Sequence, residues 1–185
     1  MKQAAILLAD GFEEIEALGT VDILRRGQIN VDIVSTKSIL TVVSSRKIIV
    51  TADKLFVDMS DYDMIILPGG LPGASSLRDD PKVIKLLQDY SNSNKYIAAI
   101  CAGPMALGKA GIAVNKKVTS YPDDETKSYL KESDYQDDDS VVVDGHLITS
   151  RGPGTTFAFA YKLLELLEAD PSPLKQGMLY RKYND

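Results

Sequence analysis

Residues 2–9 form an apolar run of strand length that stops at Asp10-Gly11. A strand without polar alternation has no solvent face. It must be covered on both sides, as strands are in a parallel sheet packed between helices. The following segments agree. Residues 12–26 carry helix formers, with Glu13, Glu14 and Glu16 in the first turns, Arg25 and Arg26 in the last, and Gly27 as the stop. Residues 29–35 return as a strand, and a strand-helix-strand unit implies parallel pairing through a right-handed crossover.

The same reading continues along the chain. Residues 39–43 and 47–51, separated by Ser44-Ser45-Arg46, are expected to form a hairpin appended to the sheet. Residues 62–67 read as a buried strand ended by Pro68-Gly69-Gly70-Leu71-Pro72-Gly73, and residues 81–90 as a helix opening on Pro81. A strand then runs into Cys101, followed by a helix over 104–109. Residues 117–120 are expected as a short strand, 123–131 as a helix, and the acidic stretch 132–139 as a solvated connection. Residues 140–143 and 147–150 pair as a hairpin, 156–168 form a helix, and a last helix covers 173–183. No repeat or long linker divides residues 1–185, so the expectation is one layered α/β domain with a mainly parallel sheet. In such sheets ligands bind beyond the carboxyl ends of the strands, where Asp10-Gly11, Pro68-Gly69-Gly70 and Cys101 all fall.

Composition narrows the chemistry. The 21 basic and 26 acidic side chains leave a net charge of −5, which argues against direct nucleic-acid binding. No apolar run approaches the roughly 18 residues of a membrane span. One cysteine cannot form an internal disulfide, and the start shows no signal-peptide pattern, so a soluble cytoplasmic protein is expected. A single histidine, His146, leaves too few ligands for a zinc site of the usual kind, and no metal or cofactor is expected. His146 lies in the turn Asp144-Gly145-His146, which reads as an exposed hairpin turn without catalytic work.

Cys101 sits where the apolar run Tyr96-Ile97-Ala98-Ala99-Ile100 meets Ala102-Gly103-Pro104. Small residues let a side chain ride a sharp strand-to-helix elbow, and Pro104 suits the first turn of a helix. Unpaired N–H groups and the helix dipole at such a start favour thiolate over thiol. A nucleophile is therefore one reading and a small buried apolar cysteine the other. The N–H groups of Gly69, Gly70 and Ala102 are candidates for an oxyanion hole, although glycines at 69 and 70 also suit a plain tight turn. Proton transfer needs a carboxylate. Helical spacing puts Glu16 on a stripe with Phe12, Thr20 and Ile23, but pattern alone does not separate it from Glu13 or Glu14.

These motifs together resemble the DJ-1/PfpI superfamily, on its DJ-1 side near the bacterial YajL-type members. The likeness is carried by Asp10-Gly11-Phe12-Glu13-Glu14-Ile15-Glu16, Leu67-Pro68-Gly69-Gly70, Ala98-Ala99-Ile100-Cys101-Ala102-Gly103-Pro104 and Thr149-Ser150-Arg151-Gly152-Pro153-Gly154-Thr155. It implies that Cys101 is the reactive thiol and Glu16 its protonated partner. It also implies a flavodoxin-like three-layer sandwich, a homodimer, and cofactor-independent action on reactive 2-oxoaldehydes or glycated substrates, of glyoxalase or deglycase type. Oxidative-stress sensing or redox-regulated chaperoning through Cys101 is the alternative role. Two departures matter. Ala102 stands where peptidase-type members carry histidine, which argues against peptidase activity. Tyr121 stands where some relatives place a histidine near the thiol, and a phenol is a poor proton shuttle near neutral pH.

Overall fold

In a computed structural model describing residues 2–180, the chain opens with β1 (Gln3–Leu8), α1 (Glu14–Arg26) and β2 (Asn30–Ser35). The two strands pair in parallel, from Gln3 opposite Asn30 to Leu8 opposite Ser35. Helix α1 starts two residues later than its composition suggests because the Glu13 carboxylate caps it, accepting the N–H of Glu16 at 2.8 Å. There follow β3 (Thr41–Val43), β4 (Ile49–Thr51), β5 (Lys54–Leu55), β6 (Met64–Leu67), α2 (Gly73–Asp79), α3 (Pro81–Asn92) and β7 (Tyr96–Ile100). The second half comprises α4 (Pro104–Lys109), β8 (Lys117–Val118), α5 (Asp124–Ser128), β9 (Asp134–Tyr135), β10 (Val141–Asp144), β11 (Leu147–Ser150), α6 (Thr156–Leu166) and α7 (Ser172–Gly177).

A seven-stranded sheet runs in the order β10-β11-β7-β6-β1-β2-β5, parallel throughout except for the antiparallel edge strand β10. Successive β1 residues serve opposite cores. Ala4, Ile6 and Leu8 pack with α1 and α6, whereas Ala5 and Leu7, with Ala9 just past the strand, pack with α2, α3 and α4. The result is a three-layer sandwich of flavodoxin type. Ile6, Leu7 and Leu8 are fully buried, and each contributes roughly 1.5–3 kcal/mol by leaving water.

The appended hairpin is present as β3–β4, a two-stranded sheet of its own tied to the start of α1 by the Ser45 N–H on the Phe12 carbonyl. Several local expectations need correction. The acidic stretch 132–139 is not merely a solvated connection, because Asp134–Tyr135 pairs in parallel with β8. The strand expected over 117–120 ends at Val118, and the helix over 123–131 is the single turn of α5. The last helix ends at Gly177 instead of 183, and residues 181–183 of that expectation lie outside the described ones. What is described of this segment packs beside α6, with the Tyr161 hydroxyl against Met178 Sδ at 3.3 Å and Tyr180 edge-on to Tyr161.

Candidate active site

β6 and β7 pair side by side, so the Pro68-Gly69-Gly70 turn and Cys101 emerge together at the carboxyl edge of the sheet. α1 begins at the same edge, where the Glu13 N–H donates to the Gly69 carbonyl at 2.9 Å. One turn into that helix, Glu16 is completely buried. Glu14 points elsewhere, accepting from Ser45 Oγ at 3.0 Å, and Glu13 is occupied as the cap. Of the three glutamates, only Glu16 reaches the thiol.

Cys101 has φ +62°, a left-handed conformation that strains a residue carrying a Cβ. Neighbouring backbone holds it there. Its N–H donates to the Ser150 carbonyl of β11 at 3.0 Å, and its carbonyl accepts the Tyr121 N–H at 2.9 Å. Cys101 is partly exposed, and its sulfur is faced by the N–H groups of Ala102 and Gly70. Gly70 adopts φ +85°, and a Cβ there would lie 2.3 Å from the Glu13 nitrogen, so no other residue fits that turn.

Gly69 does something other than the sequence suggests. Its N–H donates to Glu16 Oε2 at 2.7 Å, so it orients the carboxyl and is not free to hold a substrate oxygen. The candidate oxyanion donors reduce to Gly70 and Ala102. Glu16 Oε1 is buried without a well-directed hydrogen bond, although the carboxyl and the Cys101 thiol interact. Buried polar atoms are rarely left this way, and a proton on the carboxyl, pointed at the sulfur, would satisfy both groups.

The electrostatics follow from that burial. Desolvation lifts Glu16 to about 7, opposed by the thiol and the Gly69 N–H, with Glu13 adding a further upward push. Burial also pushes the Cys101 thiol up, reinforced by the charge and hydrogen bond of Glu16, against the pull of the Ala102 and Gly70 N–H groups. A thiolate favoured by the helix start alone is therefore not what this pocket supports. Helix α4 starts three residues later and burial outweighs it. Once the pair loses its first proton it carries one negative charge and one remaining proton, shared between carboxyl and sulfur.

His146 is far from this chemistry. Leu147 lies opposite Ile97, at the amino end of β7, so His146 is separated from Cys101 by about 13 Å of strand. Its ring tilts against Tyr96 instead, with centroids 5.1 Å apart. Among the described residues no cluster of His, Cys, Asp and Glu is arranged to hold a metal ion. Two residues that position the thiol, Ser150 and Tyr121, act through backbone groups, which leave no side-chain signature to read.

Comparison with known proteins agrees with this fold. The DJ-1/PfpI family pattern matches residues 2–166. Protein DJ-1alpha of Drosophila melanogaster is 45% identical over 170 residues, covering 90% of this chain and 77% of that protein. A Caenorhabditis elegans relative described as the glutathione-independent glyoxalase DJR-1.2 is 38% identical, covering 90% of this chain and 89% of its own. The crystal structure of Drosophila melanogaster DJ-1beta superposes with a TM-score of 0.91 at 39% identity, covering 96% of this chain and 97% of that one. With its elbow cysteine, its buried glutamate and a match along nearly its whole length, the chain belongs to the DJ-1/PfpI family.

Proposed function

We propose that this protein converts reactive 2-oxoaldehydes such as methylglyoxal or glyoxal to 2-hydroxy acids, with Cys101 as nucleophile and Glu16 as acid and base. The observation that carries this reading is a partly exposed Cys101 whose thiol interacts with the buried Glu16 carboxyl, which desolvation lifts to about 7. A group poised near the working pH can both accept and return a proton.

Glu16 takes the thiol proton as sulfur bonds to the aldehyde carbon, and the new oxyanion lies against the N–H groups of Gly70 and Ala102. The oxyanion then recovers the thiol proton from Glu16, the freed carboxylate carries the hydrogen of that carbon as a proton to the neighbouring ketone carbon, and the hydroxyl proton passes to the former ketone oxygen. The aldehyde carbon is oxidised and the ketone carbon reduced within one molecule, so the step needs no external electron carrier. Water cleaves the resulting thioester, releasing the hydroxy acid and restoring the thiol. A glycated amine or thiol would enter at the same sulfur, as in a deglycase. Purified protein should release D-lactate from methylglyoxal, and Cys101→Ala and Glu16→Gln should not. Equal rates in all three would remove the mechanism.

A second reading uses the same sulfur as a sensor, and the two N–H groups facing it favour that reading as well. Two molecules of peroxide would oxidise the thiol to a sulfinic acid with release of two waters, and the new oxygens would accept those N–H groups. Intact mass after graded peroxide, with client aggregation followed alongside, tests it. Oxidation seen only under unfolding conditions would exclude it. We also propose a homodimer, because Ile15 is 54% exposed and Ile49 70% exposed on α1 and on the hairpin bound to its start. Sedimentation at micromolar concentration checks this, and a monomer would contradict it.

A further inference from the structure

Two loops flank the Cys101 elbow, one before α5 and one between β11 and α6. The first carries Tyr121, whose backbone N–H is fixed on the Cys101 carbonyl. The second carries Gly152, and a Cβ built on that glycine would lie 3.5 Å from Tyr121 Cδ2 and 3.9 Å from Cε2. The ring therefore lies beside Gly152, within van der Waals range of where a side chain there would begin. Tyr121 remains 46% exposed, and its hydroxyl makes no hydrogen bond among the described residues. Beyond Gly70, whose N–H faces the sulfur, Leu71 is 53% exposed. An exposed tyrosine and an exposed leucine thus sit on the two segments whose backbone N–H groups bond the Cys101 carbonyl and face its sulfur.

We infer that Tyr121 determines substrate choice at Cys101, its ring forming the wall against which the substituent on the 2-oxo carbon packs. The favoured class is then 2-oxoaldehydes with an aryl or bulky apolar substituent, ahead of methylglyoxal. This inference rests on the proposed reaction for its substrate but on backbone and ring placement for its geometry. Contact between two aromatic rings is worth roughly a 3- to 10-fold preference over a methyl group.

The experiment compares kcat/KM for phenylglyoxal and methylglyoxal in the wild type, Tyr121→Phe, Tyr121→Leu and Tyr121→Ala. The phenylglyoxal to methylglyoxal ratio should hold in Tyr121→Phe and fall roughly 3- to 10-fold in Tyr121→Leu and Tyr121→Ala. An unchanged ratio in the last two overturns the inference, as does an equal fall in Tyr121→Phe, which would assign the effect to the hydroxyl. Tyr121→Leu keeps bulk at the position, so it decides the matter if the alanine variant does not fold.

A parallel arm reads the wall without the proposed reaction. Cys101 displaces bromide from phenacyl bromide or bromoacetone, forming a carbon–sulfur bond while its proton leaves to the carboxyl or to water. The ratio of these two alkylation rates should follow the same order across the variants. Absence of hydroxy acid from either aldehyde, with the alkylation ratio still dependent on the ring, would sink the proposed function and leave the wall standing. A flat alkylation ratio would sink the wall.

Discussion

Gly69 approaches Cys101 so closely that a Cβ on the glycine would lie 2.6 Å from the cysteine Cβ, 2.8 Å from Glu16 Oε2 and 2.9 Å from the Ala102 nitrogen. Real Cβ atoms do not tolerate such distances, and two of the three neighbours belong to fixed backbone or a strained elbow. Gly69→Ala is therefore expected to push thiol and carboxyl apart and cost about 1–3 kcal/mol by overpacking. Thermal unfolding checks the stability. The rate of Cys101 alkylation should fall in the surviving native protein, and an unchanged rate would mean that the turn relaxes without moving the pair.

Glu16 gives the thiol proton somewhere to go. In the wild type the rate of iodoacetamide labelling should rise with pH through a midpoint near 7, where the pair loses its first proton. Glu16→Gln removes the acceptor while the desolvation around Cys101 remains, so the midpoint should move upward and labelling at neutral pH should slow. Hydroxy-acid formation should fall by roughly 10²- to 10⁴-fold in the same variant. A profile that stays in place would detach the carboxyl from the thiol's reactivity.

The backbone at Cys101 supplies a stability test independent of catalysis. At φ +62° a cysteine or alanine is strained, whereas glycine is not. Cys101→Gly should therefore unfold at higher denaturant than Cys101→Ala, by about 1 kcal/mol, although both lack the sulfur. If alanine proves the more stable, the elbow relaxes once the thiol is gone.

Stability should also depend on pH through Glu16. Its folded value of about 7 lies above the usual 4.5, so the proton it binds stabilises the fold fully below 4.5. That contribution is lost as pH rises through about 7. The uncharged Glu16→Gln variant escapes the loss and should gain on the wild type between those limits, by about 3 kcal/mol at pH 8. Urea unfolding at pH 4 and pH 8 reads the difference, and a constant gap would show the carboxyl to be ordinary.

Much of this architecture is legible in the residues because burial writes a pattern. β6, β7 and all of β1 after Gln3 are apolar since both faces are covered, and Pro81 and Gly27 mark helix ends. Where the physics is not local, the pattern is silent. β5 is two exposed residues, Lys54 and Leu55, held by pairing with β2 and by the Lys54 ammonium on Asp32 and Tyr62. Helix α2 hides in the small residues Gly73-Ala74-Ser75-Ser76, which carry little apolar periodicity. At the site, Cys101 is legible from its elbow, and Glu16 only as one of three carboxylates until a family likeness or the fold separates them. The direction of the Gly69 N–H depends on how the turn folds back on α1, and residue identity does not encode it.

The distance between His146 and Cys101 has a thermal consequence. Imidazoles release their proton with a substantial uptake of heat, and they are the usual titrants near neutrality, whereas carboxylic acids ionise almost athermally. Here the one imidazole sits at the wrong end of a strand to take part. Any displacement of the acid limb on warming therefore reports the carboxyl and the thiol that share the titrating proton, and not an imidazole.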